Sequence, residues 1–268
     1  MEDISLLTKH RKADVIQSVM EGCGFSLRTI DSFDTDQLGT FTGEQARLQN
    51  QLDTALHKAQ LGAQLGNTRY GLGSEGSFGP DPFIGMTPWN AEVLAWWDSI
   101  KQHAVYAIMQ GPETNYHQKH VRSMDEVAEL MSRFKFPNHG LIVGKPGDRY
   151  FNKEIDSEES MLTILSPLLR QSPVWIETDM RAHRNPTRMS MIERCAKRLA
   201  ENLRCLCPSC TSRGFVGSAQ IPGAICESCG IATRVARAEL FSCTACGFTK
   251  EKNLARLAPA SKCDCCNP

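Results

Sequence analysis

The sequence predicts an α/β fold, with a mixed sheet flanked by helices and followed by a small cysteine-rich module. Over residues 1–203, short apolar runs of β-favouring residues alternate with segments of helical periodicity. Two of the strand-like runs, between residues 92 and 110, follow one another directly. After residue 204, C-x-x-C pairs recur in the pattern of zinc knuckles. We therefore predict an α/β domain at 1–203 and a double zinc-knuckle, zinc-ribbon-like domain at 204–268.

The first predicted elements alternate between strand and helix. The run "ISLLT" (4–8) predicts a strand that leads into a helix at about 11–21, and "FSLRTI" (25–30) predicts a second strand. A long helix is predicted over 45–65, because apolar side chains recur there at helical spacing. Further strands are predicted at 69–76, 92–99, 103–110 and 139–144. Further helices are predicted at 123–134, which opens with a Ser-x-x-Glu-like cap, and at 157–169.

The stretch "ETDMRAHRNPTRM" (177–189) joins a strand to a helix. The apolar run "SPVWI" precedes it, and a segment with helical spacing of apolar residues follows it. Asn185 and Pro186 predict the helix start, with Asn as N-cap and Pro at the first helical position. Backbone N–H groups and the helix dipole at such a junction favour an anion. The alternative interpretation is an ion-paired corner, in which Arg181 meets Glu177 or Asp179.

Composition is that of an ordinary globular protein, with 41% hydrophobic and 22% charged residues and a formal net charge of zero. A balanced charge argues against indiscriminate binding to nucleic acid or membrane surfaces. No apolar run approaches the roughly 20 residues that a membrane-spanning helix needs, and "MEDISLLTKHRK" lacks the layout of a signal peptide. We therefore expect a cytoplasmic protein without a membrane partner. The sequence leaves open whether the chain forms a homodimer.

Ten of the twelve cysteines fall between Cys205 and Cys266, and eight of these form four C-x-x-C pairs separated by 15, 13 and 16 residues. Two such pairs can present four thiolates to one tetrahedral ion, so the spacing predicts two structural zinc ions. Disulfides and an iron–sulfur cluster are the less suitable alternatives. The predicted ligands are Cys207, Cys210, Cys226, Cys229, Cys243, Cys246, Cys263 and Cys266.

The pairing of these knuckles and their role are less determined by the sequence. Tandem sites, joining first pair to second and third to fourth, are the favoured arrangement, although interleaved sites fit the spacing nearly as well. From residue 204 onwards, eight Lys/Arg and four Asp/Glu leave an excess of four positive charges, which eight thiolates and two zinc ions cancel. Aromatic residues there are few. We interpret the module as an appendage that supports folding or partner contact, with nucleic-acid contact as the alternative.

Several polar motifs lie at the ends of predicted elements, where α/β proteins place their sites. The motif "TKHRK" (8–12) has cations at a helix start and could hold phosphates, or it could be a solvated helix start. The loop "FDTDQLGTFTGE" (33–44) could ligate a divalent cation or be a polar turn. In "GSEGSFGPDP" (73–82), Glu75 and Asp81 lie among glycines and prolines that leave room for a ligand. His139 fits a hydrogen-bonded core residue better than a catalyst.

Taken in order over the whole chain, these motifs and the closing "CDCCNP" resemble a bacterial family of unassigned function with C-terminal zinc knuckles. Residues 1–203 also resemble the inosine triphosphate pyrophosphatase/Maf superfamily in the order of their elements. "TKHRK" is similar to its Thr-x-Asn-x-x-Lys phosphate loop, with His10 in place of the asparagine and Lys12 one residue early. "YGLGSEGSFG" resembles its metal-binding strand end, and "AHRNPTR" resembles its Ser-His-Arg motif, with Ala182 in place of the serine.

The superfamily resemblance implies a metal-dependent hydrolase that acts on a nucleotide or a related phosphoanhydride. It implies Mg²⁺ or Mn²⁺ held by carboxylates that also orient water, and phosphates held by cations. The alternatives are a nucleic-acid or nucleotide-signal binding protein without turnover, and a nuclease. The implied catalytic residues are Glu44, Glu75 and Asp179, and the implied substrate-binding residues are Thr8, Lys9, His10, Lys12, His183, Arg184 and Arg188.

Overall fold

The computed structural model describes residues 1–31, 50–254 and 256–268. The chain forms two compact units. One comprises Met1–Ser99 and Tyr106–Ala200, and the other comprises Ile100–Val105 and Glu201–Pro268. The second unit thus includes a short segment from the middle of the chain as well as the cysteine-rich region.

A five-stranded mixed sheet forms the centre of the first unit, in the order β2-β1-β3-β4-β5. Strand β1 pairs in parallel with β2 and β3, whereas β3 and β4 form a long antiparallel hairpin. This arrangement confirms the predicted α/β class with a mixed sheet. The strands are β1 (Glu2–Leu7), β2 (Phe25–Ile30), β3 (Tyr70–Pro80), β4 (Pro88–Asp98) and β5 (His103–Gly111).

Helices lie on both faces of this sheet. On one face, α2 approaches β3 so closely that a Cβ on Gly71 would lie 1.8 Å from the carbonyl oxygen of Ala59. On the other face, Cys195 of α5 donates through Sγ to the carbonyl oxygen of Glu92, at 3.4 Å. The helices are α1 (Ala13–Glu21), α2 (Gln51–Leu65), α3 (Met124–Phe134), α4 (Glu158–Leu169) and α5 (Pro186–Arg204).

A second sheet in the first unit has the order β6-β8-β7, with β6 (Gln118–Val121), β7 (Leu141–Val143) and β8 (Val174–Thr178). Both neighbours run antiparallel to β8. Its apolar side packs with α3 and α4 in one core cluster that includes Leu130, Met161 and Ile176. The short strand β6 was absent from the sequence prediction, because a strand of four residues, three of them polar, gives too weak a signal.

Most predicted elements are confirmed, with shifted ends. The predicted helix at 45–65 is present from Gln51, and residues 45–49 lie outside the described residues. The predicted cap of α3 is also present, since Ser123 accepts a hydrogen bond from the backbone N–H of Glu126 at 3.3 Å. Strand β3 continues four residues beyond its predicted end, to Pro80. Among the described helices, none combines the length and hydropathy that a membrane span requires.

The second unit contains a three-stranded antiparallel sheet in the order β11-β10-β9. Its strands are β9 (Val216–Pro222), β10 (Ala236–Ser242) and β11 (Thr249–Asn253). His103 joins the mid-chain segment to this unit, because Nε2 donates to the carbonyl oxygen of Arg213 and Nδ1 accepts from the hydroxyl of Thr244. These strands were not predicted from the sequence, because their many polar and charged residues give no alternating apolar pattern.

Candidate functional site

Strand β3 presents different chemistry on its two faces, because successive residues of a strand point in opposite directions. Glu75 points towards α2 and forms a buried ion pair with Lys58, with Nζ and Oε2 at 2.5 Å. Ser74 and Gly76 point to the opposite face, towards α1 and α5. The sequence predicts that Glu75 and the phosphate-binding cations share one site. In the structure Glu75 lies on the α2 face of β3, whereas Ser74 lies on the opposite face.

Lys12 lies on the Ser74 face and is only 6% exposed. Its ammonium donates to the carbonyl oxygen of Ser74 at 3.2 Å and to the hydroxyl of Ser74 at 3.1 Å. Burial and, next, the nearby Arg188 guanidinium lower the pKa of Lys12 to about 7, against the opposing effect of Glu92. No carboxylate among the described residues forms an ion pair with Lys12, so this part of the chain compensates its positive charge poorly.

Arg188 and Glu92 form a fully buried ion pair beside Lys12, with Nε and Oε1 at 2.7 Å. A second nitrogen of Arg188 donates to the carbonyl oxygen of Met180 at 2.5 Å, and the guanidinium lies 5.2 Å from the ring centroid of Phe78. Gly76 leaves the space that this pair occupies, since a Cβ there would lie 2.5 Å from Glu92 Oε1. Arg188 therefore has its planar fork directed at a carboxylate of the protein.

The junction between β8 and α5 contains an ion-paired corner, as the alternative interpretation proposed. Asp179 is fully buried and accepts from the guanidinium of Arg181, with the closest pair of atoms at 2.8 Å. Arg181 also pairs with Glu154 at 2.6 Å, and Arg184 lies 3.8 Å from Asp179. Asn185 caps α5 as predicted by accepting from the backbone N–H of Arg188 at 3.0 Å.

The first and last predicted motifs meet through two histidines. The rings of His10 and His183 are stacked, with centroids 5.2 Å apart. Burial and, next, the charge of Lys12 lower the pKa of His10 to about 3, and burial also lowers the pKa of His183. Both imidazoles are therefore held in the neutral form. Within this loop, the backbone N–H of His10 donates to the hydroxyl of Thr8 at 3.3 Å, while Lys9 is exposed.

The predicted magnesium ligands are not gathered into one site. Glu75 is paired with Lys58 and Asp179 with Arg181, while Glu44 lies outside the described residues. Among the residues that the structure describes, the groups of three or more potential metal ligands are both made of cysteines. Glu75 and Asp179 thus each form an ion pair with a cation of the protein.

Two residues of this network, Lys58 and Glu92, were missed by sequence reasoning. Each carries a signal that could have found it. Lys58 lies between Ala55 and Ala59 on the buried side of α2, and Glu92 directly precedes the apolar run 93–97 of β4. A charged residue on a buried face needs a partner, so both positions indicate an ion pair, although neither reveals which residue supplies it.

The eight predicted zinc ligands form two groups of four. One comprises Cys207, Cys210, Cys243 and Cys246, and the other comprises Cys226, Cys229, Cys263 and Cys266. The closest sulfur atoms of different knuckles are 3.7 and 3.8 Å apart in the first group and 3.6 and 3.9 Å in the second. A tetrahedron with Zn–S bonds of about 2.3 Å has sulfur edges of about 3.8 Å, so each group could bind one zinc ion.

The arrangement of these groups corrects the favoured tandem order. The first knuckle joins the third, and the second joins the fourth, so the sites are interleaved. An antiparallel sheet explains this order, since β10 lies between β9 and β11 and leads from the second knuckle to the third. Cys205 and Cys265 belong to neither group and are exposed.

Comparison with protein families gives one match. The family described as "Domain of unknown function (DUF6671)" matches residues 58–268, which is most of the chain. The chain belongs to the DUF6671 family. The DUF6671 match includes Lys58, Glu75, Glu92 and Arg188 together with both cysteine groups, whereas Lys12 precedes it. No curated protein and no solved structure matches the chain.

Proposed function

We propose that the first unit binds a nucleotide or a related phosphate-bearing small molecule and hydrolyses its phosphoanhydride, while the cysteine groups hold two structural zinc ions. The observation that carries the proposal is the buried ammonium of Lys12, whose partner is a serine and which has no carboxylate partner among the described residues. A buried charge without a counter-ion is costly. A phosphate oxygen beside Lys12 would supply the missing negative charge and would favour its protonated form.

The surroundings of Lys12 suit a phosphate ester. Arg188 lies near it, with its charge shared with Glu92, and the stacked rings of His10 and His183 provide polar edges. The resemblance of "TKHRK" and "AHRNPTR" to the phosphate loop and Ser-His-Arg motif of the inosine triphosphate pyrophosphatase/Maf superfamily supports the same ligand class. Lys9 and Arg184 are the proposed further phosphate contacts, with Thr8 as part of the loop.

We propose that Mg²⁺ or Mn²⁺ takes part in the reaction, although the described residues do not form a preformed site for either ion. Glu75 and Asp179 are both engaged in ion pairs, so they do not form a ready-made magnesium site. Magnesium is commonly held in enzymes by one or two carboxylates together with the phosphates of the substrate. Mg²⁺ or Mn²⁺ would therefore arrive with the nucleotide.

The second candidate is a protein that binds a nucleotide signal without turnover. The same ion pairs favour it, because every described carboxylate near Lys12 is already neutralised by a cation of the protein. A binding protein needs the phosphate-binding cations but not an activated water molecule. A nuclease, the third candidate, would cleave a polymer while leaving free triphosphates intact.

The deciding experiment measures phosphate and pyrophosphate release from a panel of canonical and modified nucleoside triphosphates with Mg²⁺ or Mn²⁺. We expect turnover in the unmodified protein, its loss in Lys12→Met, and no loss in Glu113→Gln, which changes an exposed carboxylate. Binding is measured separately, by calorimetric titration of the same nucleotides into the unmodified protein and into Lys12→Met. Binding without turnover would select the second candidate, and neither binding nor turnover would refute a nucleotide site at Lys12.

A further inference from the structure

The second unit gathers three phenylalanines that are far apart in the sequence. The ring centroids of Phe215 and Phe241 are 5.8 Å apart, and those of Phe215 and Phe248 are also 5.8 Å apart. Phe248 is 36% exposed and the other two are half-buried. Composition alone had indicated that aromatic residues were too few for a stacking surface, but the fold concentrates the three rings in one cluster.

Two lysines lie on the same face of the sheet as this cluster. Phe241 is directly opposite Lys250, and Glu239 is directly opposite Lys252. Directly paired residues in an antiparallel sheet project from the same face, and residues two apart on a strand share a face. The two lysines are about 7 Å apart along β11. We name Phe215, Phe241, Phe248, Lys250 and Lys252 the aromatic–lysine face.

The positive charges of this face are available to a ligand. Every residue of β11 is exposed, and neither lysine forms an ion pair with any residue in the described part of the chain. Glu251 points to the other face, where it pairs with Arg237 at 3.0 Å. Glu239 shares the face, but its carboxylate lies over β9, since Oε1 would be 2.0 Å from a Cβ on Gly217.

We propose that the aromatic–lysine face binds single-stranded nucleic acid. Aromatic rings beside exposed ammonium groups provide the two contacts that such strands use, namely stacking with bases and attraction to phosphates. A duplex keeps its bases stacked on one another, so it can offer its phosphates to the lysines but not its bases to the rings. This binding is separate from the function proposed for the first unit and depends on neither Lys12 nor Glu75.

The test is fluorescence anisotropy of the zinc-loaded full chain with labelled oligothymidine and oligouridine strands of about 12 nucleotides. The expected result is binding to single strands and weaker binding to a duplex of the same length. Phe248→Ala should weaken single-strand binding by about 5- to 100-fold. The double variant Lys250→Gln with Lys252→Gln should lower the slope of log affinity against log salt by about 0.7 for each lost phosphate contact.

Matched controls lie in the first unit. Phe83→Ala removes a phenylalanine that is 78% exposed, and Arg122→Gln with Arg170→Gln removes two exposed charges. Both should bind single strands as tightly as the unmodified protein does. Zinc content and circular dichroism establish that every variant is folded. The proposal is overturned if single strands do not bind, if the duplex binds equally well, or if the control variants lose as much affinity. It is also overturned if the lysine and phenylalanine variants change only the oligomeric state measured by light scattering.

Discussion

Arg188 and Glu92 bring two distant parts of the chain together through an ion pair with no solvent exposure on either side chain. Glu92 belongs to β4 and Arg188 to the first turn of α5, so the pair fixes the start of the last helix against the central sheet. Because Gly76 leaves room for it, the pair also depends on the absence of a side chain on the neighbouring strand. Three structural elements thus converge on one charge pair.

Glu92→Gln should destabilise the protein by about 3–5 kcal/mol, because it leaves the buried guanidinium of Arg188 without its counter-ion. Urea unfolding followed by circular dichroism measures the change. The control is Glu113→Gln, which removes the exposed partner of Arg194 and should cost at most about 1 kcal/mol. Equal losses in the two variants would contradict the importance assigned to the buried pair.

Gly76→Ala should cost about 1–3 kcal/mol, because the new methyl group would force Glu92 and Arg188 out of their positions. Gly79→Ala, three residues further along the same strand, meets no atom within 4 Å and should change the free energy of unfolding by no more than about 0.5 kcal/mol. The two variants are compared by thermal and urea unfolding. A neutral Gly76→Ala would show that the pair can move without cost.

Lys12→Met should change how stability depends on pH. The pKa of Lys12 is about 7 in the folded protein, well below the value of about 10.4 in an unfolded chain. Between these two values the unfolded chain binds more protons, so stability of the unmodified protein rises with pH, and the full cost of the buried charge is present below pH 7. The variant should be relatively more stable at pH 6 than at pH 10, by roughly a few kcal/mol. Unfolding curves across this range check the sign, and an unchanged pH slope would argue against a buried, uncompensated ammonium.

Zinc content distinguishes the interleaved arrangement from the tandem one. Cys210→Ser with Cys243→Ser removes two ligands of one group and should leave one zinc ion per chain. Cys210→Ser with Cys226→Ser affects both groups and should leave neither site with four thiolates. Elemental analysis of the purified variants gives the count. A tandem arrangement would produce the reverse pattern.

The mixed sheet and its helices could be predicted because each element carries its own local signal. Asn185 and Pro186 fixed the start of α5, and Ser123 and Glu126 marked that of α3. The faces of β3 were harder to assign. Several glycines replace the alternating side chains that normally reveal a buried face, so the sequence does not show that Glu75 and Ser74 serve opposite sides.

The features that the sequence could not predict depend on contacts between residues far apart in the chain. The spacing of the cysteines permits tandem and interleaved sites alike, and only the course of β9 to β11 decides between them. The same applies to the aromatic–lysine face, since nothing local relates Phe215 to Phe241 and Phe248. The order of the motifs did lead to the prediction that His10 and His183 belong to the same site, and their rings are stacked in the structure.

The interleaved knuckles make the two metal sites share a stretch of backbone. The loop closed by one group runs from Cys207 to Cys246 and that closed by the other from Cys226 to Cys266, so the chain between Cys226 and Cys246 belongs to both. Ordering this shared stretch for one ion spares the other ion the same loss of conformational entropy. Zinc uptake should therefore be cooperative, with the second ion bound more tightly than the first, and partial chelation should yield chains with two ions or none.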